Sequence, residues 1–300
     1  MLKRALVIVV ALAVLAGAAA WWLSAPQVLS ANGLPAHTPD ADNGRRIFFA
    51  GGCASCHAAE GAEGEAALVL AGGRSLETPF GPIAVPNISS DPTSGIGNWS
   101  SLDFANAMVR GVSPEGGHYV PAFPWTSYRG MRLEDVIDLK AFLDTLPASD
   151  NAAPASGLPF PFAWRRPIGL WKRFLLPPLP PVPAGADAQV AEGHYLTIAL
   201  GHCGECHTPR NSVFAPENDR LMAGAPSPTG EGRVPNISPS PQGIGDWSDG
   251  DVAYLLESGF TPDFDSVGGE MSAVVTNWSQ LSAADRQAVE AYLRAIPPQP

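Results

Sequence analysis

The hydrophobic pattern of the chain begins with one long apolar segment near the N-terminus. Residues Ala5 to Leu23 form an unbroken apolar run, close to the ~20 residues that a helix needs to cross a bilayer. Lys3 and Arg4 precede the run, and Trp21 and Trp22 lie at its far end, where aromatic rings favour the membrane interface. The pattern predicts a transmembrane anchor. A cleaved signal peptide is the alternative, although the bulky tryptophan pair interrupts any small-residue cleavage motif.

Beyond this run, apolar residues recur with the 3.6-residue period of amphipathic helices in both halves of the chain. Ser100 or Ser101 is an expected N-cap, and Ser282 with Asp285 has the pattern of a capping box. Strand patterns are almost absent, so we predict an all-α protein. The main apolar positions of the predicted helices are Ile47 and Phe48; Leu102, Phe104, Ala105, Met108 and Val109; Leu133, Val136, Ile137, Ala141 and Phe142; Leu196; Val252, Leu255 and Leu256; and Val289, Tyr292 and Leu293.

A segment rich in proline, alanine and glycine separates the two halves. Within it, Leu176–Pro183 is expected to form a stiff polyproline spacer. The stretch Trp164–Leu176 is basic and aromatic, and it either packs across one domain as a strap or contacts a membrane surface or a partner. The predicted organisation is an anchor at residues 1–25, a first domain at 40–148, the linker and strap at 149–186, and a second domain at 187–298.

Short motifs occur in the same order in both halves, and the separation between copies is nearly constant. Such regularity indicates an internal duplication. Each copy is expected to fold as helix, motif, loop, helix, loop and helix. The repeated motifs are C-x-x-C-H at Cys53–His57 and Cys203–His207, Val-Pro-Asn-Ile-Ser beginning at Val85 and Val234, and Gly-Ile-Gly-x-Trp-Ser beginning at Gly95 and Gly243.

The C-x-x-C-H motif is the attachment pattern of c-type haem. Two thiols one helical turn apart can each add to a haem vinyl group, and the histidine that follows supplies the proximal nitrogen to the iron. A zinc knuckle would need four ligands, and a redox dithiol has no need of the histidine. We therefore predict two covalently bound haem c groups. The residues that would hold them are Cys53, Cys56 and His57 in the first half, and Cys203, Cys206 and His207 in the second.

The sixth iron ligand decides between electron transfer and small-molecule chemistry, because a thioether favours reduced iron whereas an open position permits binding. In the second half Met271 is the main candidate, since it follows Gly268 and Gly269 in a predicted loop between the last two helices. A methionine there could instead fill the core. Met222 is the weaker choice.

The first half offers no methionine in the equivalent stretch, Gly117 to Trp125. Met131, a few residues later, ranks first as its sixth ligand. His118 ranks second, and would give bis-histidine ligation. An open iron ranks third. Met108 lies within a predicted helix and is assigned to the core.

Charge narrows the range of partners. The formal net charge is −11, which excludes nucleic acid as an expected partner. The same charge permits steering toward a basic patch on another protein. All four cysteines lie within the two C-x-x-C-H motifs, so none remains for a disulfide.

With these motifs, the chain resembles the cytochrome c subunits of membrane-bound periplasmic dehydrogenases, such as those for alcohols, gluconate or sorbitol. The resemblance depends on the repeated motifs, on Gly-Gly-Glu-Met ending at Met271, and on the Trp164–Leu176 strap. It implies two tandem cytochrome c domains behind an N-terminal transmembrane helix. Two features depart from it: those subunits typically carry three haems, and their first domain usually reads Pro-Ala-Met-Pro where this chain has Phe123.

The resemblance implies a membrane-anchored dihaem cytochrome c that relays single electrons from a periplasmic dehydrogenase subunit to a downstream acceptor of the respiratory chain. The expected location is the bacterial inner membrane, with the haem domains facing the periplasm. Such a protein would be an electron carrier and not an enzyme by itself. The alternative is a haem enzyme, peroxidase-like or thiosulfate-oxidising, that uses an open iron in the first domain. No obvious acid–base pair beside either motif supports that alternative.

Overall fold

The computed structural model describes residues 2–78, 80–154, 156–227 and 232–300. In this part of the chain, helices dominate and the strands form two short hairpins. The α-helices are α1 Leu2–Leu23, α2 Ala41–Ala50, α3 Cys53–His57, α4 Ser101–Ala105, α5 Trp125–Tyr128, α6 Leu133–Leu143, α7 Arg166–Phe174, α8 Ala188–His194, α9 Gly204–His207, α10 Asp251–Ser258, α11 Glu270–Trp278 and α12 Ala283–Ala295. Two π-helical segments, Asn106–Arg110 and Tyr195–Leu200, continue α4 and α8, and two short 3-10 helices are Gly64–Leu68 and Asn218–Arg220. The strands are β1 Ser75–Leu76, β2 Ile83–Ala84, β3 Ala225–Pro226 and β4 Arg233–Val234.

The internal duplication is visible in the order of these elements. Helices α2–α6 with the hairpin β1–β2 form a first unit, and helices α8–α12 with the hairpin β3–β4 form a second. Both hairpins are antiparallel, with Ser75 opposite Ala84 in the first and Ala225 opposite Val234 in the second. The predicted all-α architecture with two tandem units is thereby confirmed.

In each unit the first helix packs closely against the last, and a glycine makes the contact possible. A Cβ atom on Gly44 of α2 would lie 2.1 Å from the carbonyl oxygen of Asp138 in α6. A Cβ atom on Gly193 of α8 would lie 1.8 Å from the carbonyl oxygen of Ala288 in α12. Because no side-chain carbon fits at these distances, the two helix pairs approach backbone to backbone.

The predicted caps agree with the structure, whereas two segments predicted as loops contain helices. Ser100 caps α4 and Ser282 caps α12, each in a capping box with an aspartate three residues later. The loop predicted before Gly130 contains α5, and Met271 lies in the first turn of α11 and not in a loop. The Val-Val-Thr run in α11 has low intrinsic helix propensity, so tertiary packing of its buried end at Trp278 decides the local structure.

The predicted anchor is a single exposed helix that ends against the strap. Of the described residues, only α1 is long and apolar enough to cross a membrane, a property that a signal sequence near the N-terminus would share. Its last turns contact α7: the Arg166 guanidinium lies 4.0 Å from the centre of the Trp21 ring and donates to the Trp21 carbonyl oxygen at 2.9 Å. The strap also packs across the first unit, where Lys172 donates to the carbonyl oxygens of Arg110 and Gly111.

The two units share an extensive interface and one continuous apolar core. Arg46 of α2 reaches Asp285 at 2.5 Å and Glu192 at 2.8 Å, both in the second unit. The Tyr195 hydroxyl of the second unit donates to Asp135 of the first at 2.5 Å. These partly buried bonds fix the orientation of one unit against the other.

Candidate haem sites

Each C-x-x-C-H motif forms a single helical turn that follows a sharp bend. In the first unit Gly52 has φ 60°, a left-handed conformation that glycine adopts without strain, and α3 begins at the next residue. In the second unit His202 takes the same place with φ 41°. The turn brings both cysteines of a motif to one side, as attachment to one haem requires.

Both motif histidines are held by a backbone carbonyl. The Nδ1 atom of His57 bonds to the Pro86 carbonyl oxygen at 2.8 Å, and that of His207 to the Pro235 carbonyl oxygen at 2.8 Å. The bond places the proton on Nδ1 and leaves Nε2 as the nitrogen available to a metal. Burial lowers the pKa of His57 to about 4 and also lowers the pKa of His207, so both rings are neutral.

A glycine keeps each proline carbonyl in reach of its histidine. The amide of Gly72 donates to the His57 carbonyl oxygen at 2.8 Å, and that of Gly224 donates to the His207 carbonyl oxygen at 2.8 Å. A Cβ atom on Gly72 would lie 2.4 Å from the carbonyl carbon of Pro86. The segment after each motif therefore passes against the Pro-Asn-Ile-Ser loop with no room for a side chain.

The asparagines of the Pro-Asn-Ile-Ser loops have a structural role. Asn87 donates to the carbonyl oxygens of Ser149 and Asn151, at 2.7 Å and 3.0 Å, and accepts from the Ser89 amide. Asn236 donates to the Gln299 carbonyl oxygen at 3.1 Å and accepts from the Ser238 amide. Each asparagine thus bonds its loop to the segment that follows the last helix of the same unit. The functional group of the motif is the preceding proline carbonyl, which sequence reasoning missed although the repeated motif marked the loop.

The surroundings of the cysteines fit haem c. Burial raises the pKa of Cys53 and of Cys203 to about 12, so both are neutral groups in an apolar site, as thioethers would be. Tyr292, beside Cys203, has a buried hydroxyl without a hydrogen-bond partner in the described residues, and a polar group of the porphyrin would satisfy it. In the same residues, no cluster of three or more His, Cys, Asp and Glu side chains could hold a metal ion by itself.

The methionines of the second unit occupy different environments. Met222 is fully buried, and its carbonyl oxygen accepts from the Ile237 amide at 2.9 Å, as that of Leu70 accepts from Ile88 in the first unit. Met222 therefore stands at a core position. Met271 is half-buried at the start of α11, the helix that contacts the first unit through Asn277.

The candidate ligands of the first unit lie close to the end of α1. Met131 is buried, and its amide bonds to the Tyr128 carbonyl oxygen as the amide of Leu281 bonds to Trp278 in the second unit, so Met131 and Leu281 are structurally equivalent. The His118 Nε2 atom is 2.9 Å from the Ser24 carbonyl oxygen.

Phe123 stands where the resemblance led us to expect a methionine in this unit. Its ring packs edge-on against the rings of Tyr119 and Tyr128, with centroids 5.6 Å and 5.7 Å away.

The two C-x-x-C-H motifs are joined through the unit interface. Ser55, between the cysteines of the first motif, accepts from the Asn277 amide of α11 at 2.9 Å. Glu205, at the same place in the second motif, accepts from Thr126 at 2.5 Å and from Ser127 at 2.8 Å, both in α5. Each motif thus contacts the short helix before the last helix of the other unit. Sequence reasoning assigned no role to the variable positions of the motifs, and the sequence carries no local signal for these contacts.

Burial also raises the pKa of the second cysteine of each motif, Cys56 and Cys206. Because each motif bonds to the other unit, both motifs lie at the unit interface.

Comparisons with known proteins agree with this geometry. A family model described as Cytochrome c matches residues 41–147. A protein of Cereibacter sphaeroides named "Diheme cytochrome c-type" is 50% identical over 99% of this chain and 99% of its own length. The fructose dehydrogenase cytochrome subunit of Gluconobacter japonicus is 37% identical over 87% of this chain and 54% of its own length. The alcohol dehydrogenase (quinone) cytochrome c subunit of Gluconobacter oxydans is 32% identical, over 88% and 57% respectively.

The helical fold carries two sites with the same arrangement of cysteines and histidine, and each site fits a covalently attached haem. These features define a c-type cytochrome. The chain belongs to the family of dihaem c-type cytochromes, and it carries two covalently bound haem c groups that serve electron transfer. Other relatives are cytochrome subunits of dehydrogenases, and this chain spans about half the length of those that it matches.

Proposed function

We propose that this dihaem cytochrome relays single electrons from a dehydrogenase to the respiratory chain while anchored in the membrane by α1. The observation that carries the proposal is the unit interface, where each attachment motif bonds to the other unit. Two attachment motifs that lie at one interface suit transfer between haems within one molecule. We include residues 40–148 and 187–298 in this proposal as the two haem-bearing domains.

In this proposal, the chain's own groups hold and tune the two redox centres. Thioether bonds to Cys53 and Cys56, and to Cys203 and Cys206, would fix the porphyrins, with His57 and His207 presenting Nε2 to the irons. Haem c, when bound, supplies an iron that gains or loses one electron. Met271 is the proposed sixth ligand of the second haem.

A dehydrogenase is the proposed electron donor because relatives of this chain are subunits of such enzymes. The location follows from α1, whose apolar length suits a bilayer and whose Trp21 and Trp22 lie at the end toward the haem units. The haem units would then face the periplasm of a bacterial inner membrane.

Isolation from membranes in mild detergent tests this proposal. We expect the full chain to stay in the membrane pellet after alkaline carbonate washing and to copurify with a dehydrogenase whose substrate reduces both haems. A chain that washes off the membrane would contradict the anchor. A chain that purifies alone, and whose haems stay oxidised when membranes oxidise such substrates, would contradict the relay.

The first haem admits a second candidate function, binding or conversion of a small molecule at an open iron. Met131 remains the proposed sixth ligand of the first haem, although the equivalence of Met131 with Leu281 also fits a packing role. The Nε2 atom of His118 bonds to the Ser24 carbonyl oxygen. Met131→Ala, compared with the core variant Met108→Ala, decides between these. A thioether ligand predicts loss of one of two near-infrared thioether–iron bands in Met131→Ala alone. One band already in the unmodified protein, with a spectrum that cyanide shifts, would favour the open iron.

A further inference from the structure

A cavity lies at the junction of α1, α7 and the first unit, at the end of the proposed anchor. Its volume is about 430 Å³, and its walls include Leu23 of α1, Gly169 of α7 and His118 of the first unit. The contact is close, because a Cβ atom on Gly169 would lie 2.3 Å from the Ser24 carbonyl oxygen. The junction is therefore built into the fold at the level where α1 would leave a membrane.

The junction is strongly basic, although the chain as a whole is acidic with a formal net charge of −11. Within the described residues, no salt bridge joins any of its cations to a carboxylate, and no acidic residue lines the cavity. Of the 18 lysines and arginines in the sequence, this cluster holds Arg110, Arg129, Arg165, Arg166, Lys172 and Arg173.

Several polar groups of the junction also lack partners. In the described residues, buried side-chain atoms without a hydrogen bond include His118 Nδ1, one terminal nitrogen of Arg165 and the Nε atom of Arg166. His118 itself is only 5% exposed. Burial without a carboxylate lowers the pKa of Lys172 to about 7. Of the three unpartnered residues, only His118 lines the cavity, together with the exposed Arg110 and Arg173. Lys172, also in the wall, donates to the carbonyl oxygens of Arg110 and Gly111. Exposed cations and an unpartnered imidazole nitrogen match an anionic ligand with several acceptor oxygens, such as a phosphate ester.

Apolar side chains beside the junction indicate where that ligand comes from. Phe174 is 62% exposed, Trp164 54% and Leu175 47%, all within or next to α7. A short helix with exposed aromatic and apolar residues and a basic face is typical of the membrane interface. Free phosphate would not account for these side chains, whereas a phospholipid accounts for both the charge and the apolar surface.

We propose that the α1–α7 junction binds the headgroup of an anionic phospholipid and thereby holds the haem units against the membrane surface. This inference rests on the anchoring role of α1 that is part of the proposed function. The phosphate would contact Arg110, Arg173 and His118 in the cavity wall, and the aromatic residues flanking α7 would lie among the lipid headgroups.

The test uses the full-length holoprotein in a neutral detergent, titrated calorimetrically with short-chain phosphatidylglycerol, phosphatidylcholine of equal chain length, or inorganic phosphate. We expect phosphatidylglycerol to bind at least about tenfold more tightly than the other two. The variant Arg110→Gln/Arg173→Gln, which removes two exposed cations, should weaken that binding roughly 30-fold. The matched variant Arg45→Gln/Arg233→Gln, on exposed sites that do not line the cavity, should leave it unchanged.

Each other outcome overturns the inference. Phosphatidylcholine that binds as tightly as phosphatidylglycerol would show that the site does not distinguish headgroup charge. Inorganic phosphate that binds as tightly would show that no lipid is needed. Absence of binding, or equal weakening in both double variants, would remove the site. Haem content and the visible spectrum confirm that each variant is folded. Failure of the anchor itself is distinguishable, because the chain would then be released by carbonate washing whatever the titration shows.

Discussion

Replacing Glu205 by alanine removes a carboxylate from the centre of the unit interface. The side chain is 17% exposed, and it accepts hydrogen bonds from Thr126 and Ser127, which are both buried, besides pairing with Arg210. Each hydrogen bond to a charged group contributes about 1.5 to 3 kcal/mol. Because water partly reaches the Glu205–Arg210 pair, we take about 1.5 kcal/mol for each of the two hydroxyl bonds. We therefore expect Glu205→Ala to lower the free energy of unfolding by about 3 kcal/mol.

A double-mutant cycle separates the interface bonds from other effects of the substitution. The cycle compares Glu205→Ala, the pair Thr126→Val and Ser127→Ala, and all three substitutions together. Either change alone already breaks the same hydrogen bonds, so the effects should fall short of additivity by a coupling free energy of about 2 kcal/mol. The control is Glu217→Ala, which breaks a more exposed ion pair with Arg220 at 3.0 Å and should cost less than about 1 kcal/mol.

Urea unfolding of the holoprotein, followed by Soret circular dichroism, supplies these free energies. A continuous core across both units predicts a single transition in the unmodified protein. A coupling below about 0.5 kcal/mol, together with a loss no larger than that of Glu217→Ala, would refute the reasoning. The bonds of Glu205 would then not hold the units together.

Three further predictions concern packing, ligation and pH. Gly193→Ala should destabilise the second unit by about 3 kcal/mol or prevent its folding, because the new Cβ atom would lie 1.8 Å from the Ala288 carbonyl oxygen. In the control variant Gly204→Ala, the new Cβ atom would lie 3.4 Å from the nearest atom, so thermal stability should change little. Met271→Ala should lower the midpoint potential of one haem in a redox titration. Hydrogen bonds to the Asp138 carboxylate outweigh burial and hold the pKa of Asp138 below its ordinary value. The ionised carboxylate therefore stabilises the fold fully above about pH 4, and this stabilisation is lost as the pH falls further. In Asp138→Asn, the urea midpoint of unfolding should fall less steeply with decreasing pH.

The repeated architecture follows from local sequence patterns. The C-x-x-C-H spacing and the apolar periods near Phe48 and Phe142 depend on neighbours a few residues apart, so they can be interpreted without tertiary structure. The capping box at Ser282 is local in the same sense, and the structure agrees with it. The two haem groups could therefore be predicted from the sequence.

Features that depend on distant residues could not be predicted. The bond from His57 to the Pro86 carbonyl oxygen involves a backbone group, which has no signature in side-chain chemistry. The contact between Ser55 and Asn277 joins residues far apart in the chain. Likewise the register that makes Met131 equivalent to Leu281 depends on backbone bonds that the sequence does not show. Such relations arise when the two units dock.

Electron exchange inside one molecule tests the central claim most directly. A flash-generated reductant can reduce one haem of the purified holoprotein, and the absorbance then reports how the electron redistributes between the haems. The contacts of each attachment motif with the other unit predict a rapid redistribution whose rate constant does not change with protein concentration. Redistribution that accelerates in proportion to protein concentration would contradict the account, because electrons would then pass between molecules and not across the interface.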